Sequence, residues 1–152
     1  MLIADIDFCV PEDAGQLFSI EAACFEQPWD RRVIEHDLAD MGQVVYMKAT
    51  LAGRIAGYGV LGRAGRAAHL MNIAVHPDYR SRCVGLQLMT AFDEIAREWG
   101  CGRMRLEVRS TNARARDFYV KLGFACIRTE RNYYAGGEDA IIMVARLPLQ
   151  VK

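Results

Sequence analysis

Several features that mark particular classes of protein are missing from this sequence. Lys plus Arg and Asp plus Glu both number 19, so the formal net charge is zero at pH 7. This balance argues against a general nucleic-acid binder or a membrane-surface protein, because both partners are anionic. No apolar run approaches the roughly 20 residues that a membrane-spanning helix needs, and the first residues lack the basic-then-apolar plan of a signal peptide. We therefore expect no direct partner among nucleic acids or membranes.

Disulfide and metal-binding patterns are also missing. The five cysteines are odd in number, and no two of them have C-x-x-C spacing. This usage is typical of free thiols in a reducing compartment, so we expect a cytoplasmic protein. The three histidines, His36, His69 and His76, show no metal-ligand spacing to one another or to the cysteines. The sequence therefore predicts no metal site.

What is present is the composition and periodicity of an α/β protein. A chain of 152 residues, 52% hydrophobic and 25% charged, suits a single domain covering residues 1–152. Hydrophobic periodicity predicts the order β-α-α-β-β-β-α-β-α-β-β. Strands are predicted at 2–10 (near an edge), 43–51, 55–61, 67–75, 104–108, 124–129 and 140–144, and helices at 11–24, 30–38, 86–96 and 112–122. This order implies a mixed sheet of about seven strands flanked by four helices.

Two further details of the predicted sheet concern glycine. Ala52-Gly53 separates two strand patterns and is predicted to form a hairpin turn. Gly57 and Gly59 lie inside the second of these strands, where glycine indicates a bulge or the close approach of another backbone.

The stretch from Leu70 to Met89 organises the rest of the chain. Its apolar run ends at Pro77, as a buried strand would, and a short basic turn with Arg80 and Arg82 then opens into an amphipathic helix. A strand–turn–helix of this kind points backbone N–H groups and the positive end of a helix dipole at one spot, which suits a phosphate or pyrophosphate. By itself, a basic turn before a helix is more often a solvated loop.

Glu107 is the most distinctive residue of the second half. It alternates with apolar residues on a strand predicted to be central, and Arg105 and Arg109 share its face. That face is either solvated or lines a cleft. Nearby arginines would keep the carboxylate ionised, and an ionised carboxylate can take up a proton, directly or through a water.

Four aromatic residues have two interpretations each. Tyr119, near the end of a helix, is either a core residue with a wet hydroxyl or a functional group. Tyr133 and Tyr134 precede two glycines in a loop, where they pack in a hairpin or line a substrate groove. Trp29 follows a proline and belongs either to the core or to the wall of a cleft.

Together these features resemble the GNAT family of acetyl-CoA-dependent N-acetyltransferases. The predicted order of elements is that of the family, and the resemblance covers essentially the whole chain. Its Q/R-x-x-G-x-G/A turn after the fourth strand corresponds to Arg80, Ser81, Arg82, Cys83, Val84 and Gly85. Residues 28–29, 71–75, 106–109, 119–124, 131–134 and 138–143 further resemble the RimI type, the ribosomal-protein-alanine N-acetyltransferases.

The resemblance implies a role for each matching residue. Glu107 would be the general base on the incoming amine, and Tyr119 would protonate the departing CoA thiolate. The amine would attack the thioester directly, without an acyl-enzyme. The pantetheine arm of acetyl-CoA would contact Ile73, Ala74 and Val75. Its pyrophosphate would contact the turn residues Arg80, Ser81, Arg82, Cys83, Val84, Gly85 and Leu86. Asn112 would also contact the cofactor. Trp29, Tyr133 and Tyr134 would contact the acceptor.

Cys83 departs from the family pattern, which has glycine at this position. If the position requires a positive φ, a residue with a Cβ costs about 1–2 kcal/mol there. We expect weakened rather than lost binding of acetyl-CoA, and a thiol that is sensitive to oxidation because it lies at a helix N-terminus.

Three functions remain open from the sequence. The chain acetylates the N-terminal α-amine of a protein, with a ribosomal protein indicated by family likeness alone. Alternatively, it acetylates a small molecule or a lysine side chain, or it only binds acyl-CoA. The presence of both Glu107 and Tyr119 argues against the third function, and the Tyr133–Tyr134 loop favours the first over the second.

Overall fold

The computed structural model describes residues 3–42 and 44–150 of the chain. The parts of the first two predicted strands that include Leu2 and Gln43 lie outside the described residues. The strands are β1 Asp5–Phe8, β2 Val44–Leu51, β3 Arg54–Ala64, β4 Ala67–Val75, β5 Arg103–Arg109, β6 Ala125–Glu130 and β7 Ala140–Arg146. The helices are α1 Ala14–Cys24, α2 Arg31–Ala39, α3 Val84–Glu98 and α4 Ala113–Lys121, with short 3-10 turns at Pro11–Asp13 and Pro77–Tyr79.

The predicted fold class is confirmed. The described strands form a mixed sheet in the order β1-β2-β3-β4-β5-β7-β6, and four helices connect them. By its internal contacts the chain divides into two compact units. The first comprises the described residues of Met1–Gly62 and Asn72–Ala91, and the second those of Arg63–Met71 and Phe92–Lys152. The expectation of one domain over residues 1–152 stays a prediction.

The first unit contains a three-stranded antiparallel meander. β1 pairs with β2 from Asp5↔Thr50 to Phe8↔Met47, so β1 is the edge strand that the sequence predicted. β2 and β3 form the predicted hairpin, whose turn residues Ala52 and Gly53 have φ of 49° and 77°. Two successive positive φ values match the twist of a hairpin, which is why glycine is favoured there.

The helices of the first unit begin where the sequence placed a proline or an acidic cap. Pro11 starts a 3-10 turn that leads into α1, and the side chain of Asp30 accepts a hydrogen bond of 2.8 Å from the backbone N–H of Arg32 at the start of α2. The apolar faces of both helices bury their side chains in one core cluster. Its fully buried members include Leu17, Ile34, Tyr46, Tyr58 and Val60.

Gly57 confirms the predicted close approach of two backbones. A Cβ at this position would lie 2.9 Å from the carbonyl oxygen of Ala74 on β4. A register shift between Ala49 and Thr50 in the β2–β3 pairing also provides a bulge beside it. The sequence predicted either a bulge or the close approach of another backbone at the glycines of this strand, and the structure has both.

The second unit is built around β5. This strand pairs in parallel with the start of β4, from Ala67↔Arg103 to Leu70↔Leu106, and antiparallel with β7 along its whole length. β6 pairs with the other edge of β7. Met104, Leu106 and Val108 are buried on one face of β5, whereas Arg105 and Glu107 are partly exposed on the other. The alternation therefore separates a core face from a polar face.

None of the helices within the described residues combines the length and the apolar run needed to cross a bilayer.

Candidate active site

In the first unit, the predicted pyrophosphate turn lies between the end of β4 and α3. Two of its residues adopt a positive φ, Ser81 at 63° and Cys83 at 64°, and both are exposed. The left-handed region is unfavourable for residues with a Cβ. Cys83 therefore has the positive φ that makes a residue with a Cβ strained at this position. Ser81 has a positive φ as well, which the sequence did not predict. Alternating backbone conformations of this kind turn successive N–H groups to one side and form an anion-binding concavity.

Arg80, predicted to contact pyrophosphate, is engaged with the protein. Its Nε donates to the carbonyl oxygen of Val75 at 3.1 Å, and its Nη2 donates to the Sγ of Cys24 at 3.4 Å. The thiol of Cys24 in turn donates to the same Val75 oxygen at 3.2 Å. These three hydrogen bonds connect Val75, the last residue of β4, to Cys24 on α1 and to Arg80 in the turn. The guanidinium of Arg82 lies 5.9 Å from the ring centroid of Tyr79.

The three residues predicted to hold the pantetheine arm are the last three of β4. Ile73, Ala74 and Val75 follow Leu70, the last residue of β4 in the register that pairs with β5. Asn72–Val75 are the extended, carboxyl-terminal part of this strand. The N–H and C=O groups of an extended backbone can pair with an amide-containing ligand.

A fully buried carboxylate lies behind this end of β4. Glu21 on α1 accepts hydrogen bonds from the hydroxyl of Tyr58 at 2.8 Å, from the Nδ2 of Asn72, and from the backbone N–H of Trp29 at 3.0 Å. Asn72 also donates to the Tyr58 oxygen at 3.1 Å. Burial, and next the charge of Glu21, raise the pKa of Tyr58 well above its usual range. Trp29, predicted to touch the acceptor, packs partly buried against the core cluster while its backbone is held by this network.

In the second unit, Glu107 is paired with a residue that the sequence reasoning missed. Its Oε2 lies 2.6 Å from the Nε2 of His69 on β4, and its Oε1 lies 3.8 Å from the Nε of Arg105. The Glu107 side chain is only 14% exposed. Burial raises the pKa of Glu107, but the hydrogen bond and charge of His69 and the charge of Arg105 outweigh it, so the pKa lies below its ordinary value. The carboxylate is therefore ionised at neutral pH.

The expectation that arginines keep Glu107 ionised needs one correction. His69 contributes more to the lowering of the Glu107 pKa than Arg105 does, and Arg109 donates a hydrogen bond of 3.1 Å to Glu138. Periodicity gave no signal for His69, because the register between two parallel strands cannot be read from either strand alone.

The loop between β6 and β7 is held in place by Glu138. Its Oε2 accepts hydrogen bonds from the backbone N–H of Thr111 at 3.1 Å and from the Thr111 hydroxyl, and its Oε1 accepts from Arg109. Inside the loop, the N–H of Tyr134 donates to the carbonyl of Glu138 at 3.0 Å and the N–H of Gly137 donates to the carbonyl of Tyr134 at 2.9 Å. The loop is a closed turn rather than a loose segment.

The two tyrosines of this loop have different surroundings. The rings of Tyr133 and Tyr134 contact edge-to-face with centroids 4.9 Å apart. The Arg109 guanidinium lies over the Tyr134 ring at 4.1 Å from its centroid, a cation–π contact. Burial raises the pKa of Tyr134 to about 12 although Arg109 opposes it. Tyr133 is 51% exposed, so its ring is open to a ligand.

Tyr119 and Asn112 both belong to α4. Tyr119 is buried, its ring packs edge-to-face against Phe118 and Phe124, and burial raises its pKa well above the usual range. Its hydroxyl has no hydrogen-bond partner among residues 3–42 and 44–150. Asn112 caps the helix: its Oδ1 accepts from the N–H of Ala115 at 3.2 Å, which leaves its amide nitrogen for another contact.

No group of three or more His, Cys, Asp or Glu residues in the described part of the chain is arranged to hold a metal ion.

Comparison with known proteins gives a consistent family. The profile of the Acetyltransferase (GNAT) family matches residues 14–124. A Bacillus subtilis (strain 168) protein, provisionally named a ribosomal protein bS18-alanine N-acetyltransferase, is 34% identical over 133 residues, 87% of this chain and 88% of its own. The ribosomal protein bS18-alanine N-acetyltransferase of Escherichia coli (strain K12) is 31% identical over 142 residues, 91% and 93% of the two chains.

Solved structures show the same fold. The crystal structure of the ribosomal-protein-S18-alanine N-acetyltransferase from Escherichia coli aligns with a TM-score of 0.85 at 29% identity, covering 95% of this chain and 94% of that one. The PaiA N-acetyltransferase from Thermoplasma acidophilum in complex with coenzyme A aligns with a TM-score of 0.81 over 95% and 99% of the chains, at 16% identity. The chain belongs to the GNAT family and is an acetyl-CoA-dependent N-acetyltransferase.

Proposed function

We propose that this enzyme transfers the acetyl group of acetyl-CoA to the N-terminal α-amine of a protein, and that an alanine at the N-terminus of a ribosomal protein is its acceptor. The observation that carries the proposal is Glu107, a largely buried and ionised carboxylate on the polar face of β5. Relatives that align over most of the chain and are named as ribosomal-protein-alanine N-acetyltransferases support the choice of acceptor. The exposed ring of Tyr133, on a turn closed by backbone hydrogen bonds, supports a peptide as the acceptor.

The proposed chemistry needs a base and an acid. Bound acetyl-CoA supplies a thioester whose acetyl carbon is open to attack by a neutral amine. Glu107 takes the proton that the amine nitrogen loses as the N–C bond forms, directly or through a water. Tyr119 holds a proton on an otherwise unpartnered hydroxyl, because burial keeps the phenol neutral. That proton is available to the thiolate released when the C–S bond breaks.

The turn before α3 is the proposed diphosphate site. Ser81, Arg82 and Cys83 are exposed, and the two positive φ values flank Arg82. The backbone N–H groups from Ser81 to Leu86, including those of Val84 and Gly85, and the charge of Arg82 would hold the anion at the start of a 15-residue helix. Arg80 would contribute to acetyl-CoA binding indirectly, because its hydrogen bond fixes Val75. Ile73, Ala74 and Val75 would hold the pantetheine arm through their backbones, and the free amide of Asn112 would contact acetyl-CoA.

Tyr133, Tyr134 and Trp29 are proposed to contact the acceptor. Tyr133 offers an exposed ring, Tyr134 is fixed beneath Arg109, and Trp29 is fixed through its backbone by Glu21. The proposal involves no metal, no nucleic acid and no membrane as a partner, and it assigns the enzyme to the cytoplasm on the ground of its five free cysteines.

Neither alternative function is favoured. A small-molecule acetyltransferase would share the acetyl-CoA site but would have no use for a peptide surface at Tyr133, and a lysine acetyltransferase is not what the aligned relatives are named. A module that only binds acyl-CoA would need neither an ionised Glu107 nor a neutral, unpartnered Tyr119.

A peptide panel tests the proposal. Acetyl transfer from acetyl-CoA is measured with a peptide that begins with Ala, with the same peptide blocked at its N-terminus but carrying a Lys, and with a small diamine. We expect transfer to the free N-terminus alone, and an alternative acceptor is indicated if the blocked peptide or the diamine reacts as fast. Glu107→Gln should lower kcat while leaving the Kd for acetyl-CoA unchanged, with the exposed Glu94→Gln on α3 as the matched control.

A further inference from the structure

The contact between His69 and Glu107 joins two strands through their side chains. His69 lies on β4 opposite Arg105 in the parallel register, one side-chain position away from Glu107 on the same face. The Nε2–Oε2 distance of 2.6 Å is short for a hydrogen bond between a nitrogen and an oxygen. Both side chains are mostly buried, 24% and 14% exposed respectively. The contact is therefore shielded from competing water.

The chemistry of the two groups fixes which atom donates. An ionised carboxylate has only acceptor positions, so the proton between the two atoms is carried by the Nε2 of His69. The Oε2 of Glu107 is thereby occupied. The nearest cationic atom to Oε1 is the Nε of Arg105 at 3.8 Å, too far for a hydrogen bond. One oxygen of the carboxylate is held while the other remains able to accept a proton.

The other groups around Glu107 do not offer a substitute for His69. On β5 itself the nearest charge is Arg105, whose buried Nε has no hydrogen-bond partner in the described part of the chain. On β7 the residue opposite Glu107 is Ile142, which is apolar. From the β6–β7 loop, Tyr133 and Tyr134 feel the charge of Glu107, and Glu130 lies near Tyr133. Among the side chains of the described residues, His69 donates the hydrogen bond to this carboxylate, and the backbone N–H of Glu107 itself adds to it.

We propose that His69 is a positioning residue for the acetyl transfer: its Nε2–H holds Oε2 of Glu107 and directs Oε1 towards the acceptor amine. This inference rests on the proposed role of Glu107 as the base. It assigns His69 no contact with the substrate and no proton transfer of its own. The depressed pKa of Glu107 is in keeping with this role, because removal of His69 would leave burial less opposed.

Two substitutions separate positioning from simple packing. His69→Leu removes the donor and keeps an apolar side chain, whereas His69→Gln keeps an N–H donor of similar reach. The exposed histidine of α2 provides the matched control, as His36→Leu and His36→Gln. For each protein, kcat and KM are measured with the Ala peptide, and the titration of the Glu107 side-chain carboxyl is followed by carbon-13 NMR without substrate. Circular dichroism melting establishes that each variant is folded.

We expect kcat to fall about 10-fold in His69→Leu, the change that loss of a hydrogen bond to a charged group produces. The KM for acetyl-CoA should stay within about two-fold, a change too small to represent a lost binding contact. The Glu107 titration should move to higher pH in His69→Leu, and His69→Gln should recover part of both the rate and the titration. The His36 variants should behave as the wild type.

Two results would overturn the inference. One is a His69→Leu variant in which the Glu107 titration and kcat are both unchanged. The other is a loss of rate in both His69 variants with no movement of the titration, which would assign His69 to packing alone. Failure of the underlying proposal is distinguishable from either, because it would appear as full activity in Glu107→Gln whatever the His69 variants do.

Discussion

Gly57 on β3 lies against the carbonyl oxygen of Ala74 on β4, 2.9 Å from where a Cβ would stand. The oxygen belongs to main chain and cannot move aside as a flexible side chain would. Val84 and Val75 side-chain atoms at 3.2 and 3.3 Å close the remaining space. The absence of a side chain at Gly57 is therefore a condition for the position of the last residues of β4.

Substituting Gly57 by alanine should destabilise the protein. We expect Gly57→Ala to lower the free energy of unfolding by about 1–3 kcal/mol, the usual effect of an inserted methyl in a packed site. Gly102→Ala is the matched control, since a Cβ there meets nothing within 4 Å, and it should stay within about 0.5 kcal/mol of wild type. Urea denaturation measures both. Equal stability of the two variants would contradict the role of this contact.

Cys83→Gly should stabilise the turn before α3. The observed φ of 64° predicts relief of about 1–2 kcal/mol of backbone strain, less about 0.4–1 kcal/mol for the extra freedom of glycine in the unfolded chain. If this turn holds the diphosphate as proposed, acetyl-CoA should also bind more tightly by calorimetry, because a Cβ would no longer stand beside the anion. Cys126→Gly is the control, an exposed cysteine on β6 without a positive φ. A weaker affinity in Cys83→Gly would show that the thiol side chain itself contributes to binding.

Replacement of Glu21 should destabilise the first unit. Glu21→Leu leaves the Tyr58 hydroxyl, the Asn72 amide and the Trp29 N–H without their buried acceptor. Unsatisfied buried polar groups cost about 1–3 kcal/mol each, so we expect a loss of several kcal/mol in urea denaturation. The exposed Glu26→Leu variant should be close to wild type. A stable Glu21→Leu protein would mean that the three donors find other acceptors.

Tyr119→Phe should separate activity from stability. Because the hydroxyl makes no hydrogen bond within the described residues, its removal should change the melting temperature little. If Tyr119 supplies the proton to the leaving thiolate, kcat should fall by about 10²-fold or more, the range for loss of a general acid. The rate measured with an acetyl donor that has a more acidic thiol should fall less. An equal fall with both donors would remove Tyr119 from the acid role.

The Glu107–His69 pair predicts a pH dependence of stability. The pKa of Glu107 is lowered on folding, so its contribution to stability is present above the unfolded value near 4.5 and is lost as pH falls through the folded value. The difference in unfolding free energy between wild type and Glu107→Gln should therefore shrink at acid pH. Denaturation curves at pH 7 and below pH 4.5 would measure it. If the difference in unfolding free energy between wild type and Glu107→Gln grows at acid pH, the pKa of Glu107 is not lowered on folding.

The sequence predicted the elements of this fold better than their pairings. The order of strands and helices, the hairpin at Ala52-Gly53 and the cap at Asp30 all follow from local patterns that the structure confirms. These features depend on residues within a few positions of one another, which is the range that periodicity and turn chemistry describe.

The partners of the polar side chains could not be predicted in the same way. His69 reaches Glu107 across 38 residues of sequence, and Glu21 reaches Asn72 across 51. Glu138 stood inside a recognisable motif, but its bonds to Thr111 and Arg109 depend on how a hairpin loop folds back onto another strand. The residue pattern singled out Glu107 as a possible proton acceptor, whereas its role as the base on the amine and the role of Tyr119 as the acid were indicated by family likeness. Their surroundings came from the structure.

The grip of Glu138 on Thr111 and Arg109 has a consequence for recognition. One carboxylate holds the start of the segment leading into α4 and the cation on which the Tyr134 ring rests. If the acceptor binds at this turn as proposed, it would meet a surface whose shape these bonds already set, so little ordering entropy would be lost on association. Selectivity between acceptors at this turn should therefore appear as a slower dissociation rate for a well-matched acceptor. It should not require a conformational change of the protein.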